Sequence, residues 1–265
     1  MTSFQIKKSP SGDKTSGRLS GRLDHKERHM KHGKKYREAS KRFDKQTPYT
    51  ASEAVGLVKT LASAKFDETV EVVYNLGIDP KKADQLIRGT VSLPHGTGKD
   101  VRVAVFTSGD KEDEAKQAGA DVVGGKELVE KLQAGGELAF DVAIATPDMM
   151  AEVGKLGKVL GPRGLMPNPK AGTVTDEVGK AVGEFKAGRL EYRNDRYGNV
   201  HIPVGKVSFP AEDLVANLAT VSGEIIRSRP AASKGRFLRG MTVSSTMGPG
   251  VKVDVNSVED IAAKA

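Results

Sequence analysis

The sequence predicts a mixed α/β and α+β fold in two domains, one inserted into the other. Three observations carry that expectation. The middle of the chain alternates buried-type strands with charged helices in a β-α-β-α-β-α rhythm, the mark of a parallel sheet covered by helices. The flanking stretches mix helices with antiparallel-type strands and hairpin turns. The texture changes twice, near His95-Gly96 and near Ala187-Gly188. Residues 30–95 and 188–265 therefore read as one discontinuous α+β domain, and 96–187 as an inserted three-layer α/β domain. Glycine at both crossings suits a hinge.

Along the chain, residues 1–29 are polar, punctuated by Ser, Gly, Lys and Arg, and read as a disordered basic extension. Ala51–Ala64 sets Ala54, Leu57, Val58 and Leu61 at helical spacing, with Thr50 or Ser52 to cap it. Strands follow over Thr69–Leu76 and Arg88–Leu93. In the middle, strands are expected over Val101–Thr107, Asp121–Val123 and Phe140–Ala145. Helices are expected over Asp110–Ala118, Lys126–Gln133 and from Pro147 to Leu156. Beyond Gly188, Leu190–Arg193 and Val200–Pro203 flank N-D-R-Y-G-N, a hairpin signal. Pro210–Ile226 is an amphipathic helix with Leu214, Leu218 and Val221 on one side. Arg236–Ser245 and Val251–Val255 form a second hairpin around Met247-Gly248-Pro249-Gly250. No function is assigned to Ser257–Ala265.

The chain has 265 residues, 37% apolar and 29% charged, with a net charge of +8. The charge is uneven: residues 1–45 hold 14 Lys/Arg against 5 Asp/Glu, whereas 96–187 hold 12 against 15. A basic head of this kind points to nucleic acid. There is no cysteine, which removes disulfides, thiolate metal sites and thiol nucleophiles. No apolar run is long enough to span a membrane, so no membrane partner is expected.

Enzyme motifs are missing where they would matter. Gly161-Pro-Arg-Gly164 does not follow a strand, and neither the dinucleotide fingerprint nor a P-loop is present. His25, His29 and His32 have helical spacing but sit among Lys and Arg, a poor metal site. No catalytic constellation, cofactor, metal or small-molecule substrate is expected. Aromatics are only 5% and Trp is absent. That disfavours base stacking on exposed rings and favours folded RNA read through backbone, 2′-hydroxyl and shape.

Three segments fit such a surface. Leu156–Thr173 carries four glycines, three prolines and only positive charges, Lys158, Arg163 and Lys170. It reads as a loop shaped in advance for a polyanion. In Ala64-Lys65-Phe66-Asp67-Glu68-Thr69 a cation and an aromatic precede a strand; by residue type alone Phe66 reads as core. Thr246-Met247-Gly248-Pro249-Gly250 is either an ordinary Gly-Pro turn or bare backbone that another backbone approaches.

Together these runs resemble one family, the bacterial large-subunit ribosomal protein L-one, which builds the mobile stalk beside the tRNA exit site. The matching runs are M-K-H-G-K-K-Y-R from Met30, A-K-F-D-E-T-V-E from Ala64, R-G-T-V-S-L-P-H-G from Arg88, A-T-P-D-M-M from Ala145, the Leu156–Thr173 segment, E-Y-R-N-D from Glu191 and T-M-G-P-G from Thr246. The resemblance implies the split architecture, with a Rossmann-like inserted domain, and no enzymatic activity. It implies direct binding of a folded site in 23S rRNA within the 50S subunit of a cytoplasmic ribosome. Its implied rRNA surface is Lys65, Phe66, Thr69, Thr246, Met247 and Gly248. Secondary RNA contacts are implied at Lys34, Lys35, Arg37, Arg163 and Lys170. The family also assists release of deacylated tRNA from the exit site and in many bacteria represses translation of its own operon mRNA. It usually begins where Met30 stands, so residues 1–29 are an extension or reflect a misassigned start. The rival readings are an enzyme built on the inserted domain and a nonspecific RNA chaperone, whose affinity would ignore RNA fold.

Overall fold

The computed structural model describes residues 33–109, 111–136 and 138–262, and the expectations for residues 1–29 lie outside them. The strands are β1 (Thr69–Leu76), β2 (Arg88–Ser92), β3 (Val103–Phe106), β4 (Val122–Gly124), β5 (Val142–Ala145), β6 (Arg189–Arg193), β7 (Asn199–Lys206), β8 (Leu238–Ser245) and β9 (Val251–Val253). The α-helices are α1 (Lys34–Ala39), α2 (Ala51–Leu61), α3 (Lys111–Gln117), α4 (Lys126–Gln133), α5 (Met150–Val153), α6 (Gly157–Leu160), α7 (Val178–Lys186), α8 (Ala211–Arg227) and α9 (Val255–Ala262). The fold is mixed α/β with several sheets, as expected.

The largest sheet is antiparallel, in the order β7-β1-β8-β9. Strand period 2 sends Val70, Val72, Tyr74 and Leu76 of β1 to the buried face. There they meet Val200, Ile202 and Val204 of β7, Met241 and Val243 of β8, and the apolar stripes of α2 and α8. Of the two predicted caps, Thr50 starts α2. Its Oγ1 accepts from Glu53 N–H, while Glu53 Oε2 accepts from Thr50 N–H at 3.0 Å, a capping box. The helix stops at Leu61 rather than Ala64. Ser63 and Ala64 give their N–H groups to the Glu68 carboxylate instead of to the helical ladder.

The middle sheet is parallel, in the order β4-β3-β5, as the β-α-β rhythm predicts. Its alternate residues feed two clusters. Ala104 and Phe106 pack with Val129, Leu132, Val153 and Leu160, and Val103 and Val105 with Ala115, Val182 and Phe185. Strand ends are trimmed relative to expectation, Val101–Thr107 becoming Val103–Phe106. Helix α7 was not expected. Two glycines in V-G-K-A-V-G-E-F-K lower its propensity, and burial of Val178, Ala181, Val182 and Phe185 overrides them.

One expectation is overturned. Leu190–Arg193 and Val200–Pro203 do not pair as a hairpin. The turn does form, with Asp195 N–H donating to Asn199 O at 2.7 Å, but only an isolated bridge joins Asn194 to Val200. β6 pairs instead with β2, from Arg88↔Arg193 to Ser92↔Arg189. Asn194 starts that divergence: its N–H donates to Ile87 O at 3.1 Å and its Oδ1 accepts from Ile87 N–H at 2.9 Å. Tyr192 is buried, and Arg88 pairs with Glu191.

A second correction concerns Leu156–Thr173, expected as loop throughout. The helical run opened by Pro147 continues through α6 to Leu160, since Leu156 and Leu160 are fully buried anchors. Leu165 N–H then donates to Leu160 O at 3.0 Å and closes the turn. Farther on, Asn168 N–H donates to Thr173 Oγ1 at 2.7 Å, and Ala145 N–H to Thr173 O at 2.9 Å. The third correction is α9. Val255 was placed in a strand, but Asp254 turns the chain into a helix by accepting the Asn256 N–H at 3.1 Å.

Candidate nucleic-acid interface

Three segments converge at the start of β1. The turn after α2 carries Lys65 and Phe66, both exposed, and the β8–β9 turn carries Thr246 and Met247, both exposed. Phe66 keeps 57% of its surface open and Met247 60%, so the residue-type expectation of a core Phe66 fails. The two turns are stitched by backbone and side chain. Thr69 N–H donates to Thr246 Oγ1 at 3.0 Å, and Thr246 N–H donates to Thr69 O at 3.1 Å. The third segment is the end of β7 and the turn after it. Lys206 Nζ donates to Thr69 Oγ1 at 2.9 Å, and Ser208 Oγ donates to Asp67 Oδ2 at 2.7 Å.

Gly248 is needed for local packing. A Cβ there would lie 2.5 Å from Ser245 Oγ, so the room glycine leaves is filled by the turn itself. The result is a hydrogen-bonded patch with two unsheltered apolar side chains beside cations. Such a patch offers apolar contact to sugar and base edges and charge to phosphate.

Beneath it lies a residue that sequence reasoning missed. Glu68 is 1% exposed. Burial pushes its carboxyl up, but the neighbouring Ser245 hydroxyl and the N–H groups of Met247, Ala64 and Ser63 outweigh that and hold it below the usual glutamate value. The ionised form therefore adds stability at neutral pH, and that contribution is lost as the pH falls below the ordinary value of 4.5. Strand parity could have found Glu68, since it shares the even positions with Val70, Val72 and Tyr74 on the core face.

The secondary residues divide. Lys34, Lys35 and Arg37 are exposed on α1, and Lys35 Nζ donates to Ser63 O at 3.2 Å, which brings α1 to the main patch. Arg163 instead lines a cavity of about 400 Å³ with Arg88, Arg189 and Arg193, whose lining includes none of the six main residues. The side chain of Lys170 lies outside the described residues. Among the described residues no group of His, Asp or Glu could hold a metal ion, and no helix is long and apolar enough to cross a membrane.

The fold is a mixed α/β scaffold that leaves apolar and cationic side chains exposed together at one end of β1. The comparisons narrow that class. Residues 58–249 match the family model described as the ribosomal protein L1p/L10e family. The chain is 55% identical over 233 residues to the large ribosomal subunit protein uL1 of a Nocardioides species, covering 88% of this chain and 97% of that protein. The chain belongs to the ribosomal protein L1p/L10e family, whose members are structural ribosomal proteins and not enzymes.

Proposed function

We propose that this ribosomal protein sits in the large subunit and binds a folded site in 23S rRNA directly. The carrying observation is the exposed pair Phe66 and Met247, held on turns fixed to each other through Thr69, Thr246 and Glu68. Lys65 and Lys206 supply charge at its edge. The name of the Nocardioides relative, a large ribosomal subunit protein, supports the assembly.

The reading includes a two-domain arrangement. Residues 30–95 and 188–265 form the main rRNA-binding domain, and 96–187 form a Rossmann-like three-layer insert. The separate apolar clusters support it, one built from residues outside 96–187 and two from residues inside. The insert presents Arg163 and Lys170 as auxiliary contacts, and movement about the crossings serves release of deacylated tRNA from the exit site. The same surface binds the protein's own operon mRNA when free protein exceeds rRNA, because that message imitates the rRNA site. The test is binding to a folded 23S rRNA stalk fragment and to a scrambled RNA of equal composition at one salt concentration. Strong preference for the folded RNA is expected; equal affinity would contradict the reading and favour nonspecific phosphate binding.

A further inference from the structure

The Glu68 carboxylate serves two turns at once. Oε1 accepts from Ser63 N–H at 3.0 Å and Ala64 N–H at 2.8 Å, and Oε2 accepts from Met247 N–H at 3.0 Å. Its ends therefore reach the backbone on either side of the patch, two residues before Phe66 and at Met247 itself. Among the described residues no Lys or Arg forms an ion pair with it. A buried negative charge under a surface that receives a polyanion opposes the ligand. An ionised carboxylate is, however, acceptor-only, with an oxygen free for each turn.

We propose that Glu68 is a positioning residue for RNA binding: by accepting from both turns it sets the separation and orientation of Phe66 and Met247. This rests on the placement of the rRNA grip at those two side chains. Glutamine in its place has one carbonyl oxygen and one amide NH₂. If the oxygen stays with Ser63 and Ala64, the NH₂ faces the Met247 N–H, donor against donor, and the β8–β9 turn is pushed away.

The substitution separates two effects by sign. Glu68→Gln removes a negative charge, so long-range electrostatics alone strengthens RNA binding. Lost positioning weakens it. The experiment measures affinity of the full chain for the folded 23S rRNA stalk fragment in four variants. Glu68→Gln is expected to bind about tenfold or more weakly, the scale of one charge-assisted hydrogen bond. Glu68→Asp keeps the charge but is too short to reach both turns, and is expected to weaken binding as well; it decides the matter if Glu68→Gln does not fold. Tyr74→Phe removes the buried Tyr74–Ser222 hydrogen bond of 2.8 Å, away from the patch, and controls for lost stability by binding like wild type. Met247→Asp tests the underlying grip. Wild-type affinity in both Glu68 variants, with Met247→Asp weakened, overturns the positioning role alone. Wild-type affinity in Met247→Asp overturns the grip itself.

Discussion

Phe66 and Met247 show how far residue type misleads when read alone. Both are apolar, and the hydrophobic effect favours burying each. Each is held out by its neighbours, Phe66 because the chain around it is bound down by Ser63, Ala64 and Glu68, and Met247 because Pro249 and Ser245 take the buried positions of its turn. Nothing in the type of residue 66 reveals this, and only the run A-K-F-D-E-T placed it on the surface. Glu68 is the opposite case. Strand parity could have shown its burial, but its two-turn role depends on the β8–β9 turn folding back from 179 residues away. At this scale we predict that Met247→Asp and Thr246→Val each weaken rRNA binding about tenfold or more, on the scale of a lost contact in a desolvated site. Both residues are exposed, so circular dichroism is expected to show a fold close to wild type. Unchanged affinity would remove the turn from the interface.

Among the elements, legibility followed locality. Helix α2 was readable because its cap and apolar spacing are written within a dozen residues, and the β-α-β rhythm gave a parallel sheet, whose order β4-β3-β5 only the structure supplies. The β8–β9 hairpin was readable from its Gly-Pro turn. The β6–β7 hairpin was misread because turn chemistry fixes the turn and leaves the strand partner open. Asn194 commits β6 to β2 through Ile87, a contact 107 residues distant. Texture changes in the sequence near Gly96 and Gly188, and the structure shows why glycine stands at position 188. Gly188 has φ +113°, and a Cβ on it would lie 2.7 Å from Gly96 Cα. Gly188→Ala is therefore expected to cost about 1–3 kcal/mol through backbone strain and that collision. A thermal melt indistinguishable from wild type would show that the backbone at Gly188 accommodates a Cβ without strain.

Taken as a whole molecule, charge and shape do different work. The first 32 residues of the basic head lie outside the described residues, while its end, α1, brings Lys35 beside the patch around Phe66. If RNA binds there as proposed, fixed geometry matters alongside charge, and a folded RNA is the expected ligand. The Leu156–Thr173 segment was the most conspicuous stretch of the sequence, yet its glycines and prolines first serve a helix end and a turn anchored by Leu156, Leu160 and Thr173. Arg163 lines a cavity that none of the six main residues lines.

The most direct test uses the exposed side chains themselves. Methionine and phenylalanine both react readily with hydroxyl radicals, and Met247 and Phe66 stand 60% and 57% open in the free protein. Oxidation of the protein alone and bound to the folded 23S rRNA stalk fragment, read by mass spectrometry, is expected to show both residues shielded together on binding. Undiminished oxidation of both in a saturated complex would contradict the placement of the rRNA grip at this patch.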